Sequence, residues 1–109
     1  MVRMLLAIGA LALSAGCAGW SGPDAADGRA LAESQCSACH AIGAAGASPR
    51  PDAPPLRTVL ARYPAEPLAD AFMEGLKVGH PDMPAFALTP IEADSLIAYL
   101  KTIQEPAQD

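Results

Sequence analysis

Two cysteines three residues apart, followed at once by a histidine, constrain this chain more than anything else in it: Cys36-Ser37-Ala38-Cys39-His40. The only other cysteine is Cys17 and the only other histidine is His80. An odd cysteine count argues against a pure disulfide framework. A tetrahedral zinc site needs four ligands, and the sequence has no second Cys/His pair to supply them. A thioredoxin-like dithiol opens a helix inside an α/β fold, whereas this pair closes a helix-type segment with no strand-type segment around it. A disulfide between Cys36 and Cys39 remains the structural alternative. The chain has 109 residues, enough for one domain, and only 5% of them are aromatic. Its hydrophobic share of 51% comes largely from alanine, so the interior needs a staple, a metal or a cofactor to complete it.

Cys-x-x-Cys-His is the attachment signature of c-type haem. Cysteines three apart lie on one side of a helical turn, within reach of the two vinyl groups on one porphyrin edge. Their sulfurs add to those vinyls as thioethers, and the adjacent His40 is delivered to the iron. This spacing implies one covalent haem c with its iron per chain, with Cys36 and Cys39 as attachment points. Attachment needs reduced thiols and an export compartment where haem is loaded.

The N-terminus agrees with export. Arg3 is followed by an apolar run from Met4 to Leu13, then by Ser14-Ala15-Gly16-Cys17. This is the order of an export signal, and it is shorter than the roughly 20 apolar residues of a membrane span. The end of the run resembles a bacterial lipobox, although Ser14 stands where that motif usually has Leu. The resemblance implies a signal peptide over residues 1–16 and a lipid on Cys17, with a short tether over residues 17–23 and a folded domain over residues 24–109. Ordinary cleavage near Ala18 and an uncleaved anchor are the alternatives. Removing residues 1–16 takes away Arg3 and leaves six basic against twelve acidic residues, a formal charge of −6. No Lys/Arg patch exists for nucleic acid.

The folded part reads as all-α. Asp24 is a fit N-cap for a helix from Ala25 to about Ala38, with Gly28, Leu31, Ala32 and Gln35 on one stripe. Four prolines make Ile42–Pro55 an ordered loop. Leu56, Val59, Leu60 and Tyr63 repeat helical spacing until Pro64. A third helix opens with Pro67 near its first turn and sets Leu68, Ala71, Phe72 and Gly75 on its stripe. Gly79–Pro84 is a second loop. Thr89-Pro90-Ile91-Glu92 is a capping box for the last helix, whose stripe is Ala93, Leu96, Ile97, Leu100 and Ile103. The tail after Gln104 reads as frayed.

From Gly28 to Lys101 these residues resemble the class I c-type cytochromes, small monohaem electron carriers. Gly28 lies eight residues before Cys36, where that family has a glycine at the crossing of its N- and C-terminal helices. Leu96-Ile97-Ala98-Tyr99-Leu100-Lys101 is similar to the family's C-terminal helix, with Leu96 and Tyr99 at the crossing. The resemblance implies a cytochrome c fold of about four helices wrapped around one haem. Pro54-Pro55-Leu56 resembles the family's Pro-x-Leu, which implies that the Pro54 carbonyl (or, next to it, Pro55) accepts the Nδ1–H of His40. It also implies that Leu56 packs on the haem face.

Met73, His80 and Met83 are the candidates for the second axial ligand. Met83 lies in a loop after a helix, as the family's ligand methionine does, and its soft thioether favours ferrous iron. Met73 belongs to a helix and reads as packing. His80 reads as a loop residue near the haem edge. Tyr63, Arg57 and Arg62 are candidates for the haem propionates.

With His40 and Met83 both on the iron, no position is free for a substrate, so the expected function is one-electron transfer rather than catalysis. The expected setting is periplasmic, with a membrane tether through lipid at Cys17, as a monomer meeting donor and acceptor proteins. The alternative is a haem-c subunit of a larger dehydrogenase or oxidase, which would show a large exposed apolar patch. A haem enzyme or gas sensor would require Met83 to swing away. The family's mitochondrial members dock through a lysine ring. This chain has only Lys77 and Lys101, so an acidic carrier with a basic or apolar partner surface is expected instead.

Overall fold

Asp24 starts the first helix as an N-cap should: its carboxylate accepts the Ala26 N–H at 2.6 Å. In the computed structural model, which describes Gly9, residues 22–75 and residues 77–106, helix α1 then runs Ala25–Gln35. A single-turn-rich 3₁₀ helix covers Leu56–Ala61, α2 covers Ala65–Glu74 and α3 covers Pro90–Ile103. The described residues contain no strand. The expected signal segment apart from Gly9, together with Cys17 and the first part of the expected tether, lies outside the described residues. No helix among the described residues is long and apolar enough to cross a membrane.

One boundary differs from the sequence-based expectation. Helix α1 stops at Gln35 instead of continuing to Ala38. The ladder changes there: the Ser37 N–H reaches back to Ala32 O at 3.1 Å, while the Ser37 hydroxyl donates to the Glu33 carbonyl. That local side-chain bond competes with regular helix, as serine does. Helix α2 begins at Ala65 and so holds Pro67 in its first turn, as expected: Pro64 as N-cap sets the chain direction, and the missing N–H of Pro67 falls where no intrahelical bond is made. The buried α2 residues are Leu68, Ala69 and Phe72, so Ala69 rather than Ala71 completes the stripe.

The crossing of α1 and α3 holds the fold together. A Cβ added at Gly28 would lie 1.9 Å from the Ser95 carbonyl oxygen and 2.9 Å from the Tyr99 Cβ, so only glycine permits this approach. Ser95 is the nearest backbone, and Leu96 is buried beside it. Ser95 itself is 2% exposed, and its hydroxyl accepts the Asp24 N–H at 3.0 Å. Tyr99 donates its hydroxyl to the Ile42 carbonyl, which fixes α3 to the chain just after His40.

The Thr89 capping box is formed: Thr89 Oγ1 accepts from Glu92 N–H at 3.2 Å, and Glu92 accepts from Thr89 N–H at 2.8 Å. Past α3, the Gln104 side chain accepts from Leu60 N–H and donates to Leu56 O, docking the 3₁₀ helix. Glu105 continues this contact through its N–H on Arg57 O at 2.9 Å and its carboxylate on Arg57 Nε at 2.7 Å. The first residue of the expected frayed tail is therefore tied down.

Candidate functional site

The Cys36–His40 segment forms a tight turn on the end of α1. Cys36 N–H donates to Ala32 O at 2.9 Å, and the N–H groups of Cys39 and His40 both turn back onto Cys36 O, at 3.2 and 2.9 Å. Cys36 and Cys39 are free thiols. Burial pushes the Cys36 thiol up to about 11. A buried thiol that keeps its proton lacks the thiolate character of a dithiol redox centre.

The proline-rich loop is bound to this turn at successive points. Arg50 N–H donates to Cys39 O at 3.1 Å, and Leu56 N–H donates to Ala41 O at 2.9 Å. The result places Pro54 O 2.7 Å from His40 Nδ1. A carbonyl can only accept, so Nδ1 carries the proton and Nε2 is the lone-pair nitrogen. Pro54, not Pro55, makes this contact; the Pro55 carbonyl accepts from Thr58 instead.

A cleft of about 450 Å³ opens between this turn and the loop after α2. Cys36, Cys39 and His40 line it, and so do Met83 and the other residues of 78–84. Pro54, Leu56, Val59, Leu68 and Phe86 make much of the remainder apolar. Leu56 is buried, and Phe86 is held edge-on to Phe72 at a centroid separation of 6.3 Å. The size suits a drug-sized or cofactor-sized flat group. Two thiols, one imidazole with a fixed tautomer and one thioether around an apolar cavity are the donor set of an attached haem, and the residues fit it.

The other ligand candidates are placed differently. Met73 is packed against the core from α2 and does not line the cleft. His80 lines the cleft, yet it is exposed and its Nδ1 accepts from Asp82 N–H at 3.0 Å. Arg57 is engaged with Glu105 and with Gly46 O, away from the cleft, whereas Arg62 and Tyr63 line it.

Sequence reasoning missed a charged cluster at the cleft mouth. Arg50 donates to Asp52 at 2.6 and 3.1 Å and to Asp82 at 2.9 Å. These hydrogen bonds hold both carboxyls below the usual carboxylate range and keep the guanidinium charged. His80 lies 3.7 Å from each carboxylate. Arg50 and Asp82 are 32 residues apart in two irregular loops, so no local pattern joins them.

A family model described as Cytochrome c matches residues 25–104, from the first residue of α1 to just past α3. The chain belongs to the cytochrome c family. Its cofactor is therefore covalently attached haem c with iron, its activity haem-based electron transfer, and its all-helical architecture the cytochrome c fold. No curated protein and no solved structure matches this cytochrome.

Proposed function

We propose that this cytochrome is an exported one-electron carrier with a single haem, attached at Cys36 and Cys39, and with His40 and Met83 as the axial ligands. The observation that carries the reading is one apolar cleft lined by Cys36, Cys39 and His40 and also by Met83 from the loop after α2. Haem iron, when bound, supplies a one-electron couple.

The chain's own residues set its terms. His40 donates its Nδ1–H in a hydrogen bond to Pro54 O, which fixes the ring and strengthens Nε2 as a donor to the metal. Met83 offers a neutral, soft sulfur that favours the reduced state. Leu56, Val59 and Phe86 keep water away from the centre. With both donors engaged there is no open position for a substrate, which makes the protein a relay and not a catalyst.

Among the described residues Ile91, 53% exposed, is the large hydrophobic side chain left mostly in water. That supports a transient carrier over a permanent subunit of a larger oxidoreductase, whose buried interface would need a broad apolar face. Residues 1–16 as a signal peptide and Cys17 as a lipid site would tether the carrier on the periplasmic side of a membrane, where it meets donor and acceptor proteins. Reversible one-electron reduction without uptake of carbon monoxide by the ferrous protein is the expected result. Rapid carbon monoxide binding would overturn the His40/Met83 reading.

A further inference from the structure

The loop carrying Met83 has little regular structure to hold it. Its far end is anchored, since Leu88 N–H donates to Phe72 O at 2.9 Å and Phe86 leans on Phe72. Around Met83, which packs its side chain against the core, the hydrogen bonds are internal to the loop: Met83 N–H to His80 O at 3.0 Å, Asp82 N–H to His80 Nδ1 at 3.0 Å, and Lys77 Nζ to Pro81 O at 3.1 Å. One side chain reaches this loop from the proline-rich loop with a direct hydrogen bond. Arg50 donates Nη2 to Asp82 Oδ2 at 2.9 Å, while its own backbone N–H is on Cys39 O at 3.1 Å. Asp52 accepts from Nε at 2.6 Å and from the same Nη2 at 3.1 Å, so one guanidinium edge is shared between the two carboxylates. A single residue is thus fastened by its main chain to the haem-attachment turn and by its side chain to the neighbour of Met83.

We propose that Arg50 is a positioning residue that clasps the Met83 loop across the cleft mouth and keeps the thioether on the iron. The inference rests on the proposed Met83 ligation and extends it: ligand retention depends on a charge-assisted fork between two loops, not on the loop alone. Lysine cannot serve both carboxylates with one planar fork, so the pairing is specific for arginine. The cluster is exposed, so the clasp is weakened by salt.

The test uses the ferric holoprotein and imidazole as the incoming ligand, whose uptake reports how often Met83 leaves. Arg50→Gln and Asp82→Asn are each expected to speed imidazole uptake by about two- to fivefold, the range an exposed ion pair supports. Arg50→Lys should fall between wild type and Arg50→Gln. Raising salt should speed uptake in wild type and leave Arg50→Gln nearly unchanged. Arg29→Gln breaks the exposed Arg29–Glu33 pair on α1, removing the same charge, and should leave uptake at the wild-type rate. Met83→Ala should abolish the far-red methionine–iron band. If the band survives Met83→Ala, the ligand reading fails and the clasp with it. If Met83→Ala abolishes the band but Arg50→Gln takes up imidazole at the wild-type rate, the clasp alone is overturned.

Discussion

His40 and Pro54 are joined by a 2.7 Å hydrogen bond from Nδ1–H to the carbonyl oxygen, fourteen residues along the chain. That bond turns an imidazole that could rotate and exchange tautomers into one with a single donor nitrogen for a metal. In the reduced, diamagnetic holoprotein the Nδ1 proton of His40 is expected to give a resolved, slowly exchanging resonance in proton NMR. Exchange at the rate of an exposed imidazole would contradict the assigned contact.

Gly28 lies under Ser95, and a methyl group there would overlap the Ser95 carbonyl at 1.9 Å. Backbone cannot yield as a flexible side chain can, so α1 and α3 would have to separate. Gly28→Ala is expected to cost at least about 2 kcal/mol. Urea unfolding of the holoprotein measures this as a lowered midpoint with an unchanged slope. A midpoint equal to wild type would mean that the crossing is looser than described.

How much of this was legible in the sequence depends on how local the cause is. Cys36, Cys39 and His40 stand out because thioether attachment permits one spacing, and Thr89 with Glu92 because a capping box spans four residues. Gly28 and Tyr99 emerge only through the family resemblance, since nothing in their own neighbourhoods announces a crossing. Ser95 escapes because a serine on a helix face reads as solvated, yet its hydroxyl is needed by Asp24 N–H once α1 arrives. Arg50 and Asp82 escape because their pairing depends on how two irregular loops close on one cleft. The end of α1 falls three residues short of the expected Ala38 because serine side-chain bonding decides it, not hydrophobic period.

Thr89 accepts from Glu92 N–H and satisfies a helix-end donor with no other partner in its own helix. Thr89→Ala is expected to lower stability by about 1 kcal/mol, and Thr89→Ser to restore most of it. The same urea titration reads both. An alanine variant as stable as wild type would show that the cap contributes nothing to the folded chain.

The most direct test is the intact mass of the matured protein after denaturation and extraction with acidified acetone, compared among wild type, Cys36→Ala and Cys39→Ala. Wild type should retain the full mass of one haem and its colour, and each single variant should be held by one thioether fewer. A wild-type polypeptide that emerges colourless at its bare mass would contradict the account at its foundation.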